Sequence, residues 1–166
     1  MTNKLFSLEG KNALVTGANT GLGQAMAVAL AGAGADVALV GRSAPDETEA
    51  QIKALGRKTA VVMADLSDSS VVSSVIADSE KQLGPVDILV NNAGIIRRQD
   101  ALEFGEQDWD DVLATNLKVP FFLAQAAAKS MVDGQRAGKI INVASLLSIH
   151  GGIRVASYTA STSGVA

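Results

Sequence analysis

Three glycines at fixed spacing, Gly17, Gly21 and Gly23, constrain this chain more than any other feature. They lie in Leu14-Val15-Thr16-Gly17-Ala18-Asn19-Thr20-Gly21-Leu22-Gly23-Gln24, entered by an apolar run, Asn12 to Val15, and left by an alanine-rich helical pattern, Gly23 to Ala33. A strand that passes straight into a helix through glycines brings backbone close to whatever occupies the turn, with no side chain in the way. The unpaired N–H groups and the positive end of the helix then face outward, where an anion such as a pyrophosphate complements them. Position after a strand and before a helix separates this pattern from an ordinary glycine turn.

The rest of the chain repeats the strand–helix grammar. The expected strands are Asn12 to Thr16, Asp36 to Val40, Thr59 to Met63, Asp87 to Asn91 and Lys139 to Val143. Helical patterns fall between them: Gly23 to Ala33, Glu47 to Leu55 ended by Gly56, Val71 to Leu83 stopped by Gly84-Pro85, and a long one over Asp108 to Met131. Such alternation predicts an α/β fold, a doubly wound, mainly parallel sheet with helices on both faces (Rossmann-like). Near-continuous apolar strands predict burial on both sides of that sheet. Ligand is then expected in a crevice at the carboxyl ends of the strands. No repeat or linker interrupts residues 1–166, which read as a single dinucleotide-binding domain. A further helix starts at Val155 or Ser157, just before the sequence stops at Ala166, so the sheet is expected to be C-terminally incomplete.

Composition narrows the function. A net charge of −3 over 166 residues offers no basic footprint for nucleic acid. With no Cys and the single His150, neither a thiolate nor a histidine metal site is expected. No apolar stretch reaches the length of a membrane span, and Met1 to Gly10 lacks a signal-peptide core, so the cytoplasm is the expected compartment.

Residues at the strand ends carry the chemistry. Arg42 follows the second strand, where an arginine can accommodate the 2′-phosphate of NADP; it also suits a solvated turn. Asp65-Leu66 follows the third strand, and Asp65 either accepts a hydrogen bond from an adenine amino group or serves as an N-cap or turn aspartate. Asn91-Asn92-Ala93-Gly94, after the fourth strand, is small and polar where a cofactor would pass, although such asparagines also tie strands together. Asn116 interrupts an apolar helical segment that carries Pro120; it either satisfies backbone freed by a kink or holds a water. Ser145 ends the fifth strand and Tyr158 follows thirteen residues later. A hydroxyl beside a phenol suits carbonyl reduction, one polarising the oxygen while the other transfers the proton. Trp109, Phe121 and Phe122 are expected in the core or at a subunit contact, and His150 in a loop. Arg97, Arg98 and Arg154 are candidate contacts for an anionic substrate such as a sugar acid.

Together, Thr16-Gly17-x-x-x-Gly21-x-Gly23, Asn91-Asn92-Ala93-Gly94, Asn116, Ser145 and Tyr158 resemble the short-chain dehydrogenase/reductase family. Asn91 to Asp111 and Gly138 to Val165 are similar, more narrowly, to members of it that act on hexonates. The resemblance covers about the first two-thirds of a complete member. It implies reversible hydride transfer between a nicotinamide and a keto or hydroxy carbon of a hexonate, in pectin or uronate breakdown. It also implies a cofactor bed of Gly17, Asn19, Thr20, Gly21, Leu22, Gly23, Arg42, Asp65, Leu66, Asn92, Ala93 and Gly94. The cofactor would be NAD(H), with NADP(H) left open by Arg42. Tyr158 would be the acid–base group, Ser145 would orient the carbonyl, and Asn116 would hold a proton-relay water. A homotetramer packed through the Asp108 to Met131 helix is implied as well. One departure stands out: the family pattern is Tyr-x-x-x-Lys, and here Thr162 occupies the lysine position. A phenol, with an ordinary pKa near 10, is a poor base at neutral pH without a cation beside it. The competing expectation is therefore a catalytically silent nucleotide-binding or assembly fragment.

Overall fold

The computed structural model describes residues 4–166. Five strands form one parallel sheet: β1 (Asn12–Thr16), β2 (Asp36–Gly41), β3 (Thr59–Met63), β4 (Ile88–Asn91) and β5 (Lys139–Asn142). Their spatial order is β3-β2-β1-β4-β5, so the direction of winding reverses between β1 and β4. Loops leaving the carboxyl ends of those two strands diverge, and the gap between them is the ligand crevice of such sheets.

Alternation along the strands sends two sets of side chains to opposite faces. Leu14, Val40, Val62 and Leu89 join one cluster with Val72, Val75 and Ile76 of α3 (Val72–Leu83) and with Leu123 and Ala127 of α5 (Val119–Asp133). Ala13, Val15, Val37, Leu39 and Val90 join the other, against Ala27 and Ala31 of α1 (Gly21–Gly32) and Ile52 of α2 (Asp46–Ala54). Small alanines on α1 let that helix lie close to the sheet. Both faces are thus covered, as the apolar strands predict.

All four residues of β5 are exposed, Ile140 and Ile141 included, because β5 is the edge of the described sheet and pairs only with β4, the apolar edge expected of a sheet incomplete at its C-terminus. The long helical pattern over Asp108 to Met131 is present but is not α-helical throughout: α4 (Glu106–Leu113) passes through a π-helical turn, Ala114–Lys118, into α5. Of the two places expected for Trp109, Phe121 and Phe122, the core is ruled out; all three are exposed, Phe121 by 61%. Two helices follow β5, α6 (Leu147–His150), which places His150 at a helix end rather than in a loop, and α7 (Ala156–Val165); 3-10 turns lie at Lys4–Phe6, Ser69–Val71 and Ala101–Glu103. No helix among the described residues is long and apolar enough to cross a membrane.

Candidate active site

The glycine turn is built by contacts that tolerate no Cβ. A methyl at Gly23 would stand 2.0 Å from the Gly17 carbonyl oxygen and 2.6 Å from Asn92 Nδ2. Gly17 and Gly21 both take positive φ, +66° and +58°, which favours glycine. Thr20, the residue before α1, makes no side-chain cap, so the first N–H groups of the helix remain available to an anion. Thr48 of α2 supports the turn from behind, its hydroxyl donating to the Ala18 carbonyl at 2.8 Å while accepting from Gln24 Nε2 at 3.1 Å. Sequence reading passed over Thr48, because nothing local marks a helix threonine that reaches 30 residues back.

Across the switch point, Thr16 Oγ1 accepts from the backbone N–H groups of Asn92 and Ala93 at 3.0 and 2.9 Å. Asn92 Nδ2 donates back to the Thr16 carbonyl at 3.0 Å. Asn91 Nδ2 donates to Asn142 Oδ1 and to the Pro120 carbonyl. Both asparagines therefore tie elements together, and Asn92 also lines the crevice.

Two clefts meet at Ala93 and Gly94. One, of about 220 Å³, is lined by Gly17, Asn19, Arg42, Asp65 and Leu66 as well as Ser43, Arg97 and Thr115. Asn19 Nδ2 donates to Ser43 Oγ at 2.9 Å beside Arg42, which is exposed and makes no ion-pair contact among the described residues, although its charge helps to hold the Asp65 carboxyl ionised. Asp65 is not an N-cap. Its Oδ1 accepts from Ser67 N–H and the Ser67 hydroxyl, and these bonds, the backbone one foremost, hold its carboxyl below the usual range. The N-cap here is Asp68, which accepts from Ser70 N–H.

The second cleft, of about 440 Å³, gathers Leu22, Asn92, Asn116, Ser145, Tyr158 and Thr162. It brings together residues from α1, the π turn, the β5–α6 loop and α7, up to 140 positions apart in sequence only if Leu22 and Thr162 are taken as the extremes. Ser145 Oγ accepts from Leu147 N–H at 3.2 Å, which leaves its own proton to point elsewhere. Tyr158 is half-buried, and its phenol hydroxyl has no hydrogen-bond partner among the described residues. Asn116 is buried; its Oδ1 accepts from Ile95 N–H at 2.8 Å, and Nδ2 donates to the Ile95 carbonyl and to Ser161 Oγ. The π turn thus presents an amide that pairs with the loop after β4 rather than with the helix itself, and a relay water would have to use the remaining Oδ1 lone pair. Ser161, missed from sequence, locks this arrangement to α7. Thr162 is buried, and its hydroxyl donates to the Tyr158 carbonyl at 2.9 Å, within its own helix. Thr20, Gly21 and Gly23 line neither cleft; the first two frame the helix entrance and Gly23 packs beneath it.

A family model described as short chain dehydrogenase matches residues 11–166. The chain belongs to the short chain dehydrogenase family. Among curated members, it is 54% identical to 2-dehydro-3-deoxy-D-gluconate 5-dehydrogenase of Escherichia coli (strain K12), over 96% of this chain and 63% of that one. It is 52% identical, with the same coverage, to the enzyme of that name from Dickeya dadantii (strain 3937). A solved structure from Agrobacterium tumefaciens with bound NADP, provisionally named 2-deoxy-D-gluconate 3-dehydrogenase, superposes with a TM-score of 0.91 at 53% identity, covering 98% of this chain and 64% of its own. This short chain dehydrogenase chain therefore spans somewhat under two-thirds of the length of these relatives.

Proposed function

We propose that residues 1–166 form one dinucleotide-binding domain and carry the nucleotide bed and catalytic hydroxyls of an oxidoreductase acting on a hexonate sugar acid. The reaction is reversible transfer of a hydride between NAD(P)(H) and a keto or hydroxy carbon. One observation carries the reading: Ser145 and Tyr158 line a cleft continuous, through Ala93 and Gly94, with the glycine turn. The glycines of the turn and the uncapped helix entrance fit a pyrophosphate. Gly17, Asn19, Thr20, Gly21, Leu22, Gly23, Asp65, Leu66, Asn92, Ala93 and Gly94 would hold the cofactor, and the exposed Arg42 suits the 2′-phosphate of NADP(H) alongside NAD(H). When bound, the nicotinamide supplies or accepts the hydride.

In the reducing direction, the Tyr158 phenol gives its proton to the carbonyl oxygen, and in oxidation the phenolate takes the hydroxyl proton. Ser145 donates a hydrogen bond to that same oxygen, its lone pair already held by Leu147 N–H. Asn116 fixes Ile95 against α7 and so keeps the cleft walls in register. The relatives' names support a 2-dehydro-3-deoxy-D-gluconate-type substrate; placement in uronate or pectin breakdown and a cytoplasmic setting belong to the same proposal. The exposed Phe121 and Phe122 on α5 support helix-to-helix assembly into a homotetramer.

Thr162 favours a second reading, a nucleotide-binding fragment without turnover, because its hydroxyl is committed to helix backbone and supplies no charge. Titration with NADPH, followed by addition of a hexonate ketone, separates the two: ketone-dependent loss of reduced-cofactor absorbance supports the enzyme, and binding without it supports the fragment. In a full-length chain, Thr162→Lys places an ammonium one helical turn from Tyr158. An opposite charge at such range favours an ionised group by ~1–3 pKa units, so turnover should rise about 10- to 1000-fold; an unaltered rate would defeat the argument.

A further inference from the structure

The substrate cleft contains one charged residue, Arg98, among neutral ones. Three arginines, Arg97, Arg98 and Arg154, lie near this end of the sheet, and two of them are already neutralised. Arg97 Nε pairs with Asp108 Oδ1 at 3.1 Å and lines the other cleft. Arg154 Nε pairs with Asp100 Oδ1, also at 3.1 Å. Arg98 has neither an ion pair nor a hydrogen bond among the described residues, and no carboxylate lines the cleft with it.

We propose that Arg98 is the carboxylate anchor of the substrate cleft, binding the acid group of a polyhydroxy monocarboxylate while Ser145 and Tyr158 address a carbon further along the chain. The inference rests on the sugar-acid reading above and deepens it. An exposed arginine alone is ordinary. What distinguishes Arg98 is that it faces the same cleft as the two catalytic hydroxyls, and that the aspartates nearby are spent on its neighbours. A guanidinium presents a planar fork that matches a carboxylate with two parallel hydrogen bonds. The remaining lining offers hydroxyls and apolar surface from Leu22, Ile96 and Leu147, suited to the uncharged part of a sugar acid.

The test is calorimetric titration of the NADPH-loaded protein with D-gluconate and with neutral D-glucitol, two probes of similar size that NADPH cannot reduce. The parent should bind gluconate at least about tenfold tighter than glucitol, as expected for a charge-assisted hydrogen bond. Arg98→Met should bring the two to parity, Arg98→Lys should keep part of the preference, and Arg154→Met should keep all of it. NADPH affinity should be unchanged in each. Retention of the full preference in Arg98→Met overturns the proposal. So does a parallel loss of NADPH affinity, which would make Arg98 a cofactor-phosphate contact. Binding of neither probe by the parent, with NADPH still bound, defeats the sugar-acid reading itself and Arg98's role with it.

Discussion

Replacing Gly23 by alanine tests the phosphate turn at its tightest point. The new methyl would lie 2.0 Å from the Gly17 carbonyl oxygen, 2.7 Å from the Gly17 carbonyl carbon and 2.6 Å from Asn92 Nδ2. Ordinary contact begins at 3.4 Å, so α1 and the turn must part by about 1.4 Å. The obstacle is backbone, which cannot rotate aside as a side-chain tip can. Overpacking of this kind costs ~1–3 kcal/mol, and this site belongs at the upper end. Alanine's better helix propensity returns at most ~1 kcal/mol, so a net loss of about 2 kcal/mol is expected. Gly21→Ala is the internal comparison. Nothing lies within 4 Å of a Cβ there, and only the φ of +58° resists, at ~1–2 kcal/mol. Urea unfolding reports stability, and NADPH fluorescence titration reports the bed. Gly23→Ala should lose both stability and cofactor affinity, whereas Gly21→Ala should lose stability only to the extent of its backbone strain. A Gly23→Ala protein within about 0.5 kcal/mol of the parent, a typical neutral-surface effect, with unchanged NADPH affinity would refute the reasoning.

Arg42→Asp should weaken NADPH binding about 10- to 100-fold while sparing NADH, since one charge-assisted contact is worth ~1.5–3 kcal/mol; paired titrations with the two nucleotides check it. Asn116→Ala removes both side-chain bonds to Ile95 and the one to Ser161. It should cost about 1–3 kcal/mol in urea unfolding for the buried groups left unpaired, and lower turnover in a full-length chain. Asp65 has its pKa lowered in the folded state by the Ser67 donors. Its contribution to stability is therefore present above the unfolded carboxyl value, ~3.9, and is lost as pH falls through the folded one. Thermal melts of Asp65→Ala against the parent should differ at pH 7 and converge in acid.

Much of the site could be read from local sequence because its parts are local devices. The glycine turn, the strand–helix alternation and the ends of β1 to β4 are each dictated within a few residues, by backbone sterics and side-chain period. The π turn at Ala114–Lys118 was legible only as an awkward asparagine near a proline. The partner of that asparagine lies 21 residues away, where Ile95 offers Asn116 both an N–H and a carbonyl. Ser161 and Thr48 gave no local sign, since a hydroxyl on a helix acquires meaning only from what it reaches.

Sequence alone determined that this chain winds into a parallel sheet, that a glycine turn between strand and helix opens it, and that lysine is absent four residues after Tyr158, because these depend on residue type, spacing and period. Tertiary structure alone decided the strand order, which sets β1 beside β4 at the crevice and β5 at the edge. It also decided that Arg97 and Arg154 are neutralised by aspartates while Arg98 has no ion-pair partner among the described residues, in the cleft lined by Ser145 and Tyr158. Charge pairing and burial are properties of neighbours in space, and no spacing rule along the chain contains them.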